Sequence, residues 1–164
     1  MVLNGLNEQY GAAIAMLQQN LKKCPKEIWD DRTEGPPFWH VAYHAMWFLD
    51  WYLSDSKSAR ESFKSRFGEN NSHFENLEKT PETTLTSDQL LDYLSDIKEK
   101  TRKRFENISL DELQQPSIFE WHGINVLSSL LYNLRHLMLH IGALNLRLHR
   151  KGVKLDNWVS YQRI

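Results

Sequence analysis

One cysteine, Cys24, stands among 164 residues. A single thiol closes no internal disulfide, so the chain reads as a protein of a reducing compartment. Glycine and proline are sparse, at seven and five residues, so few points force a turn. No stretch shows the period-two alternation of a half-buried strand, and no segment repeats. No apolar run approaches the roughly 18 residues that a membrane span needs. The opening residues carry neither a basic start nor an apolar stretch, so no signal peptide is expected there. The net charge of −1 offers no overall basic excess of the kind a nucleic-acid binder presents. These absences leave one expectation: a single all-α domain over residues 1–164, soluble and cytoplasmic, with neither nucleic acid nor membrane as a partner.

What is present is apolar and aromatic. Hydrophobic residues make up 41% and aromatic residues 12% of the chain, with six Trp. That is too apolar for a disordered chain. Leu3, Leu6, Tyr10, Ile14, Leu17 and Leu21 recur at helical spacing and predict a first helix over 3–23, stopped by Pro25. A polar connection over 25–36 leads to Gly35-Pro36-Pro37, and a second helix is expected from Pro37 to Ser54. A third spans 87–107, opened by the capping box Thr86-Ser-Asp-Gln89. A fourth runs from Asn125 to Gly152. Residues 55–85 form a long connection between helices 2 and 3, with short turns expected around 57–66 and 72–78. Its Phe63, Phe67 and Phe74 are expected to pack back on the body. A short turn at Ser109–Glu112 and an aromatic loop over 117–123 precede the last helix. The tail 153–164 is expected to pack on the surface through Trp158 and Tyr161. The fold class is therefore all-α, a four-helix bundle with a long connection between helices 2 and 3.

Histidine is where the pattern departs from chance. Seven His scattered at random predict roughly 0.3 pairs at the i,i+4 spacing that makes helical neighbours. The chain has two such pairs, His40/His44 and His136/His140. Residues four apart lie one above the other, with Cβ atoms about 5–6 Å apart, so two imidazoles can share one ion. On a wheel of about 100° per residue, His40, His44, Trp47 and Trp51 share a face, and Asp50 points roughly 120° away from His44. On the fourth helix the His pair lies beside the apolar stripe centred on Leu130, Leu137, Ile141 and Leu144. A further face carrying Leu139 and Leu146 suggests a homodimer surface. Two histidine pairs on facing helices of a bundle are the geometry in which metal sites are built. Three imidazoles plus an open position define a catalytic zinc site. The motif lacks the Glu of H-E-x-x-H, so any base is a metal-bound hydroxide or a neighbour such as Glu120 or His122.

The segments His136-Leu-Met-Leu-His140-Ile-Gly-Ala-Leu-Asn145 and Tyr43-His44-Ala-Met-Trp-Phe-Leu-Asp50 resemble the DinB/YfiT-like metalloenzyme family. That resemblance covers the whole chain in helix number and length. It implies a DinB-like four-helix bundle with one divalent metal, Zn or Ni, held by three histidines. Carried onto this chain the ligands are His136, His140 and His44, with His40 one turn away as the other candidate. Family members commonly carry Gln where Ala143 stands. The resemblance also implies frequent dimers and, for characterised relatives, thiol-dependent S-transfer or isomerisation with a low-molecular-weight thiol. A metal-dependent S-transferase or hydrolase is thus one reading, with a small-molecule substrate and catalytic residues unassigned. A non-catalytic dimeric bundle with a structural or absent metal is the other. Three features read as ordinary architecture: the Trp-rich second helix as core, His122 as a surface residue, and Lys98–Arg104 as a solvated face. Cys24 follows Lys22-Lys23, which would lower its pKa, but no base stands beside it in sequence.

Overall fold

The computed structural model describes residues 2–33, 35–64, 66–67, 76–79, 81 and 83–164. Residues 72–75, the start of the turn expected around 72–78 and the site of the expected packing ring Phe74, lie outside the described residues. Among those described, the structure is all-helical, with no strand. No helix is long and apolar enough to cross a membrane.

The elements, in chain order, are α1 (Val2–Lys23), α2 (Lys26–Trp29), α3 (Phe38–Tyr52), α4 (Lys57–Glu61), α5 (Ser87–Asn107), α6 (Leu110–Gln114) and α7 (Val126–Arg150). The four long helices match the periodic segments because their ends carry the chemistry that stops a helix. Pro37 precedes α3 in an extended conformation. Thr86 and Gln89 satisfy each other's backbone at the start of α5, so both halves of the capping box form. The Asn125 side chain accepts from the Ser128 amide at the start of α7. Gly152, just past its end, takes a φ of 74°, which a residue with a Cβ rarely adopts. The short α2 was not expected. It forms because Ile28 is buried and the Trp29 indole donates to the Leu85 carbonyl at 2.7 Å, docking this turn on the far end of the long connection.

Helix α1 packs against α5 and α7, and α3 packs against the same two. The two helices joined by the long connection, α3 and α5, are therefore neighbours. The core between them holds Tyr10, Leu17, Phe38, Trp39, Tyr43, Leu49, Leu90, Leu94, Leu137, Ile141 and Leu144. Phe63 meets Trp47 edge-on at 5.3 Å and Phe67 meets Tyr43 at 5.7 Å, so the connection does fold back on the body. Asp50 points to α5, as the helical wheel requires. There it accepts from the Tyr93 hydroxyl at 2.8 Å and from Lys100 at 2.6 Å.

The tail differs from expectation. Trp158 and Tyr161 are exposed, and the contacts come from Val153, Leu155, Val159 and Ile164. The chain runs back along α1: Gln162 N–H donates to the Glu8 carbonyl at 3.1 Å, and Arg163 pairs with the Glu8 carboxylate at 2.9 Å. This close approach is possible because residue 11 is glycine. A Cβ there would stand 1.8 Å from the Gln162 carbonyl oxygen. Alanine in a helix is normally favoured over glycine by about 1 kcal/mol. Here we expect Gly11→Ala to lower stability instead, and to make the tail more susceptible to carboxypeptidase. A variant stabilised by about 1 kcal/mol with an equally protected tail would count against this packing.

Candidate metal centre

Helix α7 carries His136 and His140 on the side facing α3, and α3 presents His44 to them. One ligand atom from each of the three lies within 4.8 Å of the other two. The ring centroids of His44 are 5.4 Å from His136 and 4.5 Å from His140. The Nε2 atoms of His136 and His140 are 3.2 Å apart. Two nitrogens bound to one tetrahedral zinc at about 2.0–2.1 Å each stand about 3.3 Å apart. The α7 pair therefore already has the separation that a shared ion demands, and His44 offers a third nitrogen within 4.8 Å. A set of three neutral imidazoles suits zinc, nickel, copper or iron, and the donors present fit such an ion.

The local electrostatics keep the two α7 rings neutral. Burial pushes the His140 imidazole down to about 3 and that of His136 down to about 4. The neighbouring His44 adds to both shifts, since two cationic rings so close repel. At neutral pH the lone pairs of both rings are available without a proton having to leave. The Nδ1 of His136 is buried and meets no hydrogen-bond acceptor among the described residues.

His40, the other candidate on α3, is fully buried one turn earlier, with its ring 5.3 Å from that of Trp39. It is not part of the three-histidine cluster. Ala143 is exposed on α7, as is Gly142. Glu120 is exposed.

His122 differs from its sequence reading as a surface residue: it is buried. Its ring is stacked on Tyr132 with centroids 3.9 Å apart and meets the Tyr52 ring edge-on at 4.2 Å. Its Nδ1 is 2.9 Å from the Ser129 hydroxyl. Tyr132 in turn lies parallel to His136 at 6.5 Å, one helical turn away. Burial lowers the His122 pKa to about 4, with His136 adding to the shift. The Tyr52 hydroxyl, flanked by the Trp121 indole and the Tyr132 hydroxyl, is pushed up to about 12, chiefly by burial. Periodicity does not reach this group, because Phe119–His122 lie in an irregular stretch ending in a single turn of 3-10 helix.

The Trp-rich α3 divides between two environments. Trp39 is wholly in the core, as expected of such a helix, while Trp47, Phe48 and Trp51 are half-buried beside the histidines. Phe48 stands 4.8 Å from His44 and 5.1 Å from His136. Cys24 lies at the other end of the molecule's chemistry. Burial raises its thiol to about 12 despite Arg147, and Glu27 adds to the rise, so it is an unreactive thiol at neutral pH.

No curated protein and no solved structure matches the chain. The family model of the DinB superfamily matches residues 9–144. That stretch takes in the greater part of α1, the whole of α3 with His44, and the portion of α7 that bears His136 and His140. A match over so much of the chain, carrying all three clustered histidines, places this protein in the DinB superfamily.

Proposed function

We propose that the chain is a metal-dependent enzyme, built as a four-helix bundle, that holds one divalent ion, zinc or nickel, through His44, His136 and His140. The observation that carries this reading is the 3.2 Å separation of the two α7 nitrogens, with His44 across from them. Bound there, such an ion supplies Lewis acidity and lowers the pKa of a water or thiol at its open position. The three imidazoles orient it, and the neutral α7 pair leaves its charge undiminished. The buried ring of Tyr52 and the half-buried rings of Phe48 and Tyr132 restrict water around the histidines. The reaction class is transfer to or from a low-molecular-weight thiol, or hydrolysis of a small-molecule substrate, in the cytoplasm.

A cobalt-loaded sample separates the two nucleophiles. Titration with a small thiol is expected to produce a sulfur-to-metal charge-transfer band, which is absent in His136→Ala. A spectrum indifferent to thiol but responsive to pH would favour water and hydrolysis.

One observation favours a second, non-catalytic component. Leu131, Leu139 and Leu146 are exposed along one side of α7, a face suited to a homodimer. A dimeric bundle whose ion is structural or absent is the alternative reading. Its mark is a dimer in which any bound cobalt answers to neither thiol nor pH, because a structural site keeps no open position.

A further inference from the structure

Large rings normally finish in the core, and exposing several together is unfavourable unless something covers them. Beside the histidine cluster, rings of this kind form a continuous row. Phe48 touches both His44 and His136, at 4.8 and 5.1 Å. Trp51 follows at 6.1 Å from Phe48, and Trp121 at 6.1 Å from Trp51, with the two indole planes only 33° apart. Trp47 flanks Phe48 at 4.8 Å and Trp51 at 5.3 Å. Burial falls along the row, from half-buried Phe48 and Trp51 to Trp121, which is 58% exposed. The row is thus open to solvent at one end and abuts the three imidazoles at the other.

The sequence explains why the rings line up. Residues 44, 47, 48 and 51 fall on one face of a helix, and the loop before α7 adds Trp121. The indole of Trp51 is held by its N–H, which donates to the Arg60 carbonyl at 3.2 Å. Trp121 meets the Phe119 ring edge-on at 5.7 Å. Aromatic groups stack on such faces with centroids about 4.5–7 Å apart. An open row of aromatic faces leading to a reactive position matches the apolar lining that orients a ligand in a binding site.

We infer that this row is the subsite for a planar aromatic portion of the substrate, which extends from the histidine cluster over Phe48 toward Trp51 and Trp121. The inference rests on the metal-centre reading proposed above. It adds the substrate class: a metal-binding head joined to an aromatic body.

Three hydroxamates of the same head group test it on the zinc-loaded full-length protein by calorimetric titration. Acetohydroxamate reports the ion alone, 2-naphthohydroxamate adds a planar body, and octanohydroxamate adds a flexible apolar one. The naphthyl compound is expected to bind tightest, by about tenfold or more over acetohydroxamate. Trp121→Ala, at an exposed position, is expected to weaken the naphthyl compound by about three- to tenfold, the range one lost ring contact carries. Trp51→Leu is expected to act in the same direction, and both variants leave acetohydroxamate unchanged. Equal affinities for acetohydroxamate and the naphthyl compound, or variants without effect on the naphthyl compound, would overturn the subsite while leaving the ion in place. A preference for octanohydroxamate over the naphthyl compound overturns the planar class. Failure of all three to bind means that the zinc has no open position and overturns the subsite, whereas a chain that takes up no zinc at all overturns the metal centre itself.

Discussion

Zinc added to metal-free protein is expected to raise the unfolding midpoint, and the rise is expected to vanish in His136→Ala and His140→Ala. An ion that binds only the folded state stabilises it by RT ln(1 + [L]/Kd), about 2.7 kcal/mol at a hundredfold excess over Kd. In a chain of this size each kcal/mol moves the midpoint by about 2–4 °C, so the expected shift is about 5–11 °C. The unfolded chain offers no comparable site, because only the packing of α3 on α7 brings His44 to the i,i+4 pair. Metal content should follow the same pattern: about one ion per chain in the wild type and little in either variant. His40→Ala separates a ligand effect from a packing effect. It is expected to lose stability, since it opens a hole beside Trp39, while keeping the ion. The reading fails if the midpoint rises equally in wild type and both α7 variants, since the ion would then sit elsewhere.

Trp39→Ala is expected to have the largest effect on stability of any single substitution discussed. Its ring is completely buried, and its indole N–H donates to the Asp30 carboxylate at 2.8 Å. That bond ties the start of α3 to the connection that follows α2. Truncating a buried Trp costs about 3–5 kcal/mol, through lost burial and the cavity left behind. The corresponding fall in the midpoint is about 6–20 °C. Asp30 is exposed enough for water to replace the indole, so the cavity is the larger part of the loss. Trp39→Phe fills most of that space and is expected to cost much less. Denaturant unfolding of both variants checks this. A loss below about 1 kcal/mol for Trp39→Ala would mean that the site collapses without a cavity. Because Trp39 lies away from the three clustered histidines, the folded fraction of Trp39→Ala should still take up zinc.

Much of the architecture is legible without coordinates, and the reasons are local. Helices α1, α5 and α7 each carry a 3.6-residue apolar period, and α3, α5 and α7 each have a recognisable start: Pro37, the Thr86/Gln89 box or Asn125. The direction of Asp50 away from the histidines also follows from helical geometry alone, and it meets Tyr93 and Lys100. What escapes are features set by contact between distant segments. Helix α2 is only four residues long, too short to show a period, and exists because Trp29 reaches Leu85. The tail is seated by the aliphatic side chains Val153, Leu155, Val159 and Ile164 and by hydrogen bonds to α1, where Gly11 leaves room, and not by its two large rings. His122 sits in a single irregular turn, so nothing in the spacing announces that Tyr52 and Tyr132 enclose it.

By itself the sequence determined that this chain is helical, where its long helices begin and end, and that His136 and His140 share one helix face. Those properties depend on periodicity and capping, which act over a few residues. Only the tertiary structure decided which α3 histidine faces that pair. His40 and His44 lie on the same side of one helix, and they differ in what stands opposite them. His40 is wholly buried in the core, while His44 lies against the two imidazoles that α7 presents. It also decided that Trp39 is core while Trp47 and Trp51 remain half-open beside the histidines. Both outcomes turn on the depth at which α7 packs against α3, a quantity that no short-range pattern encodes.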